Sequence, residues 1–281
     1  MKVSVIIPTY NSEGTIERAL LSVVNQSAFK NGEHEKEILI YDDCSADREL
    51  ITNISLKYSC KLSFTPFNTG GPSYGRNRGA KEATGDFIAY IDQDDEWLPE
   101  KIHLQILLLE LYQHDVAFSS FESDIKYGRL LTDCPIHKRI WTLDFSDGGL
   151  CVSSILVRNK NIPLFTDYQL DYDWGLSITK DRRCLQTYPL VKRGITGRNL
   201  SRSFIYMMRD YQFRKSIIQN PKIKKRLTGR LARYLYATDK PSLARYYFLR
   251  SMRGIIEIMY YLTSYFPPVR RYVVRRFKIM G

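Results

Sequence analysis

The sequence predicts an α/β protein with a doubly wound, mostly parallel β-sheet, helices on both of its faces, and a basic helical appendage at the C-terminus. Short apolar runs alternate with amphipathic segments over the first 120 residues, and this strand–helix order requires right-handed crossovers between parallel strands. Hydrophobic residues make up 44 % of the 281 residues, which is enough to bury a sizeable core.

The charge changes sign near residue 200. Residues 201–281 contain 19 Lys and Arg against 3 Asp and Glu, a net charge of +16, whereas residues 1–200 contain 23 basic and 27 acidic residues, a net charge of −4. We therefore predict a domain over 1–200 and a basic, aromatic-rich helical region over 201–281. Such asymmetry is typical of a region that meets an anionic surface.

Five apolar segments in the first half have the length and composition of buried strands. They are Val3–Ile7, Glu37–Tyr41, Lys61–Thr65, Phe87–Ile91 and Val116–Phe121. The helices predicted between them have apolar residues at helical spacing and recognisable ends, such as Gly85 after the third helix and Pro99 before the fourth. They are Ile16–Val24, Asp47–Tyr58, Ser73–Ala83 and Ile102–Leu111.

The second half is less regular. Val152–Val157 has the composition of another strand, and Asp171–Thr179 that of a short helix. Beyond Phe204 the chain is predicted to form helices rich in Arg, Lys and Tyr.

Polar clusters follow the first, second and fourth strands. They are Thr9-Tyr10-Asn11, Asp42-Asp43 and the run Asp92 to Asp95. Ligands of doubly wound sheets bind outside the carboxyl ends of the strands, so all three clusters are expected at one binding edge. Each cluster taken alone is also compatible with ordinary turn chemistry.

An Asp-x-Asp pair at the end of a strand offers hard oxygen ligands, which suit Mg²⁺ or Mn²⁺ rather than zinc. Such a cation commonly bridges phosphate oxygens and neutralises a leaving group. Five scattered cysteines without a CxxC pair, and four histidines without ligand spacing, argue against a zinc site or a disulfide framework.

Several other classes are disfavoured. No GxGxxG follows the first strand, so a nicotinamide dehydrogenase is not expected. A nucleotidyltransferase, our alternative enzyme class, needs a glycine-rich loop with a basic residue directly after the first strand. The segment there, Pro8 to Glu13, contains neither glycine nor a basic residue. No nucleic-acid motif, signal peptide or apolar run of ~20 residues is present, so we expect a cytoplasmic protein without a nucleic-acid partner.

Three segments in order resemble the family 2 glycosyltransferases of the GT-A fold. They are VSVIIPTYNSEGTIERALLSVVNQS, ILIYDDCSAD and NTGGPSYGRNRGAKEATGDFIAYIDQDDEW. The resemblance covers roughly residues 2–120, and it is specific because several motifs recur at matching spacing. It implies that the doubly wound sheet is a GT-A domain that binds a nucleotide-sugar.

The resemblance also implies roles for individual residues. Asp94 is the expected direct ligand of Mn²⁺ or Mg²⁺, with Asp92 between the metal and the ribose, while Asp95 and Trp97 complete the motif. The residues expected around the nucleotide are Pro8, Thr9, Tyr10, Asn11, Glu13, Asp42, Gly70, Asn77 and Asp92. For Tyr10 and Trp97, core packing is the alternative interpretation.

Inverting members of the family use a carboxylate on a later short helix as general base. Asp171 matches that position, with Leu170 where Glu is usual and Asp173 as the competing candidate. The same comparison suggests that Arg193 or Arg198 helps to hold the diphosphate. The segment GGLCVSSILVRN also resembles the acceptor-side strand of the family. The acceptor is therefore expected near Ser153 and Ser154.

The resulting expectation is an inverting, metal-dependent glycosyltransferase that moves a sugar from a nucleotide-diphosphate-sugar, with UDP favoured by family frequency, to a hydroxyl of a glycan or lipid-linked acceptor. Cell-surface polysaccharide or O-antigen synthesis is the expected context. A catalytically dead, membrane-docked binding protein is the non-enzymatic alternative. The basic region is expected to contact an anionic membrane at the inner face of the cell membrane, although it could instead pack on the main domain.

Overall fold

The computed structural model describes residues 1–123, 151–165, 184–194, 204–217, 221–251 and 255–276, together with Trp174, Ser177, Ile178 and Arg182. The chain divides into two units, Met1–Thr196 and Gly197–Gly281. The sequence-based boundary at residue 200 lies four residues beyond this division. Each unit is described by itself below.

Within the described part of the first unit, eight strands form one sheet in the order β3-β2-β1-β4-β7-β6-β8-β5. Strands β3, β2, β1 and β4 are mutually parallel, as the sequence predicts. The strands are β1 (Lys2–Thr9), β2 (Glu35–Asp42), β3 (Lys61–Phe64), β4 (Phe87–Tyr90), β5 (Glu96–Trp97), β6 (Val116–Ser123), β7 (Leu156–Arg158) and β8 (Cys184–Arg193).

The other half of the sheet is mixed. β7 lies antiparallel between β4 and β6, while β8 pairs parallel with β6 and antiparallel with β5. The segment predicted as a strand over Val152–Val157 begins as a 3₁₀ turn over Val152–Ser154, and only its end enters the sheet. Apolar composition predicts that such a segment is buried, but it does not specify its partner strand or direction.

The register places the polar clusters at one end of the sheet. Thr9, the last residue of β1, pairs with Asp42, the last residue of β2. β4 is parallel to β1 and ends at Tyr90, two residues before Asp92. The carboxyl ends of these strands therefore lead into adjacent loops, as the doubly wound topology requires.

Successive residues of a strand face opposite sides of the sheet, so apolar side chains on both faces need to be covered by helices. In β1, Val5 and Ile7 belong to a core shared with α1, α3 and α5, whereas Ile6 belongs to a second core that includes Trp174. The described helices of this unit are α1 (Ile16–Val24), α2 (Ser27–Lys30), α3 (Arg48–Lys57), α4 (Ser73–Glu82) and α5 (Lys101–Leu111).

Local sequence explains two of these helices. At the start of α3, the Asp47 carboxylate accepts a hydrogen bond from the Leu50 amide at 2.9 Å, which caps the helix. In α4, a Cβ atom at Gly79 would lie 2.5 Å from Cγ2 of Ile6, so only glycine allows this helix to approach β1 so closely. Arg76, three residues earlier in α4, contacts Asp92 after the end of β4.

The described part of the second unit is helical. Its helices pack around a core that includes Leu231, Leu235, Ala244, Phe248 and Tyr260. They are α6 (Phe204–Ile217), α7 (Pro221–Ala237), α8 (Pro241–Ser251), α9 (Ile255–Thr263) and α10 (Pro267–Arg276). Across the described residues of both units, no helix has the length and apolarity needed to cross a lipid bilayer.

A fully buried lysine lies beside the core of the first unit. Lys101, at the start of α5, donates hydrogen bonds to Oε1 of Gln105 at 2.8 Å and to the Ile155 carbonyl at 3.4 Å. Its ammonium group also lies 4.3 Å from the centroid of the Trp97 ring. Burial disfavours the charged form and lowers the pKa of Lys101 to about 7.

This lysine gives the protein a specific pH dependence of stability. Because the pKa is lowered in the folded state, the unfolded state binds more protons between pH 7 and the ordinary lysine pKa, so the free energy of unfolding should rise with pH across that window. The expected contribution approaches about 1.4 kcal/mol per pH unit. Urea denaturation of the wild type and Lys101→Met at several pH values measures it. The difference in the free energy of unfolding between the wild type and Lys101→Met should change with pH at this slope. A difference that is constant with pH would contradict the prediction.

Candidate active site

The carboxylate of Asp42 joins the loops that follow β1 and β2. It is fully buried and accepts hydrogen bonds from Oγ1 of Thr9 at 3.0 Å, from the Ser45 amide at 2.8 Å and from Oγ of Ser45 at 2.5 Å. These bonds hold both loops in fixed conformations. In this structure three protein donors bind the carboxylate, and the nucleotide contact expected from the sequence stays a prediction.

Asn11 makes the second connection between the same loops. Its φ of 46° lies in the left-handed region, which asparagine tolerates better than most residues. The Asn11 amide donates to Oγ of Ser45 at 2.8 Å, and Oδ1 of Asn11 accepts from the Ala46 amide at 3.0 Å. Asn11 therefore holds this edge of the site in shape. Pro8 is buried within β1, and Glu13 is exposed beyond it.

Gln93 ties the loop after β4 to the loop after β1. The Tyr10 amide donates to Oε1 of Gln93 at 2.6 Å, and Nε2 of Gln93 donates back to the Tyr10 carbonyl at 3.0 Å. The side chain of Tyr10 is 47 % exposed, so it is not part of the core. This geometry leaves an aromatic ring at the surface of the site while its backbone is fixed.

Asp43 organises the loop that carries Gly70. Oδ1 of Asp43 accepts from the Thr69 amide at 2.8 Å and from Oγ1 of Thr65 at 3.2 Å. Gly70 has a φ of +84°, and its amide donates to Oδ1 of Asn68 at 2.8 Å. The glycine is required by this backbone conformation, and the loop it shapes lies beside the end of β2.

Asn77 binds backbone rather than facing open space. Its Nδ2 donates to the Phe165 carbonyl and its Oδ1 accepts from the Phe165 amide, both at 2.6 Å. The Phe165 ring stacks on Trp174 with centroids 4.3 Å apart and planes 7° apart. Nε1 of Trp174 donates to the Pro163 carbonyl at 2.8 Å. Asn77 thus anchors an aromatic pair, of which Phe165 precedes and Trp174 follows Asp171 and Asp173 in the sequence.

A buried arginine that the sequence analysis did not single out holds Asp92. Nη2 of Arg76 donates to Oδ1 of Asp92 at 2.6 Å, with the arginine side chain 2 % exposed and the aspartate side chain 32 % exposed. The guanidinium carbon also lies 5.1 Å from the Phe165 ring centroid. The sequence signal that could have identified Arg76 is its position directly before Asn77, within the predicted helix Ser73–Ala83.

Asp95 is the buried member of the aspartate cluster. Its Oδ2 accepts from Oγ of Ser153 at 2.5 Å, and its Oδ1 accepts from the Gly194 amide at 2.9 Å. Burial, followed by the nearby charges of Asp92 and Asp94, raises the pKa of Asp95 to about 7. Asp95 therefore connects the loop after β4 to β8 and is not accessible to a ligand.

Ser153 and Trp97 complete this support. Oγ of Ser153 accepts from the Asp92 amide at 2.9 Å, and the Ser153 carbonyl accepts from Nε1 of Trp97 at 2.8 Å. Trp97 and both serines expected near the acceptor, Ser153 and Ser154, are buried. Oγ of Ser153 bonds to Asp95 and so supports the aspartate loop, whereas Oγ of Ser154 donates to the Cys151 carbonyl at 2.7 Å within its own turn.

The backbone of Asp94 is held from two sides. Nη2 of Arg18 donates to the Asp94 carbonyl at 2.7 Å. On the other side, a Cβ atom at Gly194 would lie 1.9 Å from the same carbonyl oxygen, so the close approach of β8 requires glycine. The Asp94 side chain is half-buried. Gly194 was not recognised from sequence because its partner lies a hundred residues away.

The donor set available for the expected metal is small. Among the described residues there is no group of three or more His, Cys, Asp or Glu side chains that could hold a cation. The candidate ligands are Asp94 and Asp92, both hard oxygen donors at one loop. Mg²⁺ is typically bound by one or two carboxylates together with substrate phosphates, so this small donor set suits it.

The other site residues predicted from the sequence lie outside the described residues, or only their backbone is described. Asp171 and Asp173, the two candidate bases, lie outside the described residues, as does Arg198. Arg193 ends β8, and only its backbone is described. The described neighbour Trp174 is fully buried against Tyr90, with ring centroids 5.4 Å apart.

Comparison with known proteins identifies the same region. The sequence profile described as "Glycosyl transferase family 2" matches residues 4–143. A Haemophilus influenzae protein described as an uncharacterized glycosyltransferase is 28 % identical over 94 % of both chains. Escherichia coli WfgD, named as a UDP-Glc:α-D-GlcNAc-diphosphoundecaprenol β-1,3-glucosyltransferase, is 28 % identical over 64 % of this chain and 70 % of its own length.

Staphylococcus aureus TarS, a poly(ribitol-phosphate) β-N-acetylglucosaminyltransferase, is 36 % identical over 41 % of this chain. The aligned part is only 20 % of the length of that relative. The crystal structure of TarS residues 1–349 with UDP superposes with a TM-score of 0.59 at 18 % identity, covering 94 % of this chain and 90 % of that chain. This likeness confirms the predicted fold class.

Proposed function

The chain belongs to glycosyl transferase family 2 through its N-terminal half, and from this premise we propose that it transfers a sugar from a nucleoside-diphosphate-sugar to a hydroxyl group during cell-surface polysaccharide synthesis. The observation that supports this most directly is the linkage of the three loops after β1, β2 and β4 into one edge. Asp42 and Asn11 join the first two, and Gln93 joins the third to the first.

The nucleotide is proposed to bind at this edge. Tyr10 offers an exposed ring on a fixed backbone, and the Gly70 loop lies beside Asp43 at the end of β2. The other residues proposed to surround the nucleotide are those that the family resemblance assigns: Pro8, Thr9, Asn11, Glu13, Asp42, Asn77 and Asp92. UDP is the proposed nucleotide, since WfgD is named for UDP-Glc and TarS was crystallised with UDP.

Asp94 and Asp92 are proposed to hold Mn²⁺ or Mg²⁺. When bound, the cation supplies positive charge that stabilises the diphosphate leaving group. Arg76 donates to one oxygen of Asp92, which restrains the orientation of the carboxylate. The contacts of Arg18 and Gly194 with the Asp94 carbonyl hold the other ligand in place.

The transfer itself is proposed to be a single displacement with inversion. Asp171, with Asp173 as the alternative, accepts the proton of the acceptor hydroxyl as its oxygen attacks the anomeric carbon. The bond to the diphosphate breaks on the opposite face of the sugar. The β linkages in the names of TarS and WfgD are those that inversion of an α-linked donor produces.

The acceptor is proposed to be a glycan or a lipid-linked sugar at the inner face of the cell membrane. WfgD is named for an acceptor carried on diphosphoundecaprenol, and it aligns with 64 % of this chain. The net charge of +16 over residues 201–281 provides attraction to anionic headgroups.

A thermal-shift screen of nucleoside diphosphates, with and without Mn²⁺, tests the donor site. At a hundredfold excess over Kd, a ligand stabilises the folded state by about 2.7 kcal/mol. For a protein of this size, that raises Tm by roughly 5–10 °C. We expect this shift with UDP and Mn²⁺ together and little shift with either alone. Absence of a shift with every nucleotide argues against the proposed donor class, and an equal shift without metal argues against the cation site.

A further inference from the structure

A band of exposed apolar side chains follows the turn between α9 and α10. Residues three or four apart lie on one side of a helix, and this spacing continues through the turn. Tyr260 and Val273 of the same two helices are instead buried in the core of the second unit. We name the exposed set the aromatic corner; its members and exposed fractions are Leu262 (56 %), Tyr265 (52 %), Phe266 (62 %), Val269 (45 %) and Tyr272 (65 %).

The aromatic corner is held rigidly from its buried side. Arg270 is buried and donates to the Tyr236 carbonyl at 2.5 Å and to the Asp239 carboxylate. The hydroxyl groups of Tyr236 and Thr263 are 2.7 Å apart. These bonds fix the ends of α9 and α10 to the end of α7. The backbone that carries the exposed side chains is therefore held in place, which lowers the entropy cost of docking.

Arginine side chains flank the aromatic corner. Nη1 of Arg245 donates to the Ser264 carbonyl at 3.2 Å, and its guanidinium carbon lies 4.3 Å from the Tyr265 ring centroid. Arg271 is exposed between Val269 and Tyr272 in the sequence. Positive charge thus lies directly beside the apolar band rather than at a distance from it.

The surrounding charge is almost entirely basic. Residues 201–281 contain only three acidic residues against 19 basic ones. Two of those three are neutralised within the unit, because Asp239 bonds to Arg270 and Glu257 lies 3.5 Å from Arg233. The surface that carries the aromatic corner therefore attracts anions.

Aromatic, aliphatic and cationic groups together match the headgroup region of a bilayer. Tyrosine rings are enriched at the membrane–water interface, and arginines near an anionic leaflet bind its phosphates. A single-stranded nucleic acid would use the rings for base stacking and the arginines for phosphates, but it would leave Leu262 and Val269 without favourable partners. The aliphatic members of the set favour lipid.

We propose that the aromatic corner docks on an anionic lipid bilayer, with its apolar side chains among the headgroups and the flanking arginines on lipid phosphates. The proposal specifies the contact surface for the membrane location put forward under Proposed function, and it does not depend on sugar transfer. Binding to vesicles and release of nucleoside diphosphate are therefore measured separately.

Co-sedimentation of the full chain with vesicles tests the surface. Vesicles of equal parts phosphatidylcholine and phosphatidylglycerol should bind the wild type, and pure phosphatidylcholine vesicles should bind it weakly. The double variant Phe266→Ser/Tyr272→Ser should lower the partition coefficient at least about tenfold, because binding scales with buried apolar area. Arg271→Ser should lower it about fivefold.

The matched control removes equally exposed apolar side chains from the first unit. Leu56 on α3 and Leu111 on α5 are 72 % and 66 % exposed. The variant Leu56→Ser/Leu111→Ser should bind vesicles as the wild type does. Because the substituted residues of both double variants are exposed, both should retain the Tm of the wild type. Both should also retain diphosphate release without vesicles.

A tryptophan substitution tests the same surface without removing apolar contact. The three tryptophans are Trp97, Trp141 and Trp174, so residues 197–281 contain none. Phe266→Trp should retain binding, and brominated lipids should quench the added fluorescence. Leu111→Trp is the control and should not be quenched.

Two results overturn the proposal. One is vesicle binding by Phe266→Ser/Tyr272→Ser that equals the wild type, and the other is Phe266→Trp fluorescence that brominated lipids leave unchanged. Binding of single-stranded RNA that displaces the vesicles, and that depends on Phe266 and Tyr272, would assign the surface to nucleic acid instead. Normal vesicle binding without any sugar transfer would contradict the proposed enzyme activity and leave the docking surface in place.

Discussion

Replacing Asp94 by Asn should lower kcat at least about a hundredfold. The substitution keeps the size of the side chain but removes a negative oxygen donor, and charge stabilisation by a bound metal is worth several kcal/mol in a transition state. At 1.36 kcal/mol per tenfold change, that loss corresponds to about two to three orders of magnitude. Steady-state release of nucleoside diphosphate, measured over a range of Mn²⁺ concentrations, provides the readout.

Glu96 supplies the matched control for Asp94. It lies two residues later, at the start of β5, and pairs with Lys192 at 3.4 Å and Arg18 at 4.0 Å, so Glu96→Gln removes one carboxylate charge close in the sequence to Asp94. We expect it to change kcat less than threefold, consistent with the small energies of exposed ion pairs. EDTA should abolish wild-type activity, and Mn²⁺ should restore it at lower concentration than in Asp94→Asn. Unchanged turnover in Asp94→Asn would reject the metal assignment.

The general base gives the second large effect. Loss of a positioned proton acceptor typically costs 10²- to 10⁴-fold in rate. We expect Asp171→Asn to show this loss, with an effect of less than about tenfold for Asp173→Asn. The reverse order would assign the base to Asp173, which directly precedes the buried Trp174. Equal retention of activity in both single variants and in the double variant would remove this segment from the mechanism.

Nucleotide binding separates the two classes of variant. A protein that lacks only the base should keep the Mn²⁺-dependent thermal shift with UDP, because the base acts on the acceptor rather than on the diphosphate. Asp94→Asn should lose that shift. Variants at Asp171 or Asp173 that lose both the shift and the wild-type Tm would report a folding defect and not a catalytic one.

The order of elements and the position of the candidate site could be predicted from the sequence. Apolar runs of strand length and amphipathic spacing predicted the strands β1 to β4 and the helices α1, α3 and α4 to within two residues, whereas the short helix α2 was not predicted. The polar residues at the ends of β1, β2 and β4 were expected at one edge, because parallel strands with crossovers all end on the same side. Their hydrogen bonds join these loops in the structure.

The individual task of each polar residue could not be predicted in the same way. Asp42 is adjacent to Asp43, and Asp95 is adjacent to Asp94. Only Asp42 and Asp95 of these four are buried, and both bond to the protein. Asn77, which is proposed to lie near the nucleotide, also holds the Phe165 backbone in this structure. Burial of a polar group depends on which distant segment covers it, and local composition carries little information about that.

The sequence by itself determined the family, the parallel half of the sheet and the edge at which its polar loops meet. The tertiary structure decided which carboxylates face outward, that Arg76 holds Asp92, and that Gly194 lies against Asp94. The physical reason is the range of the interactions. Helical and strand periodicity arise between near neighbours, whereas the bond from Gly194 to Asp95 joins residues 99 positions apart and exists only after β8 has joined the sheet.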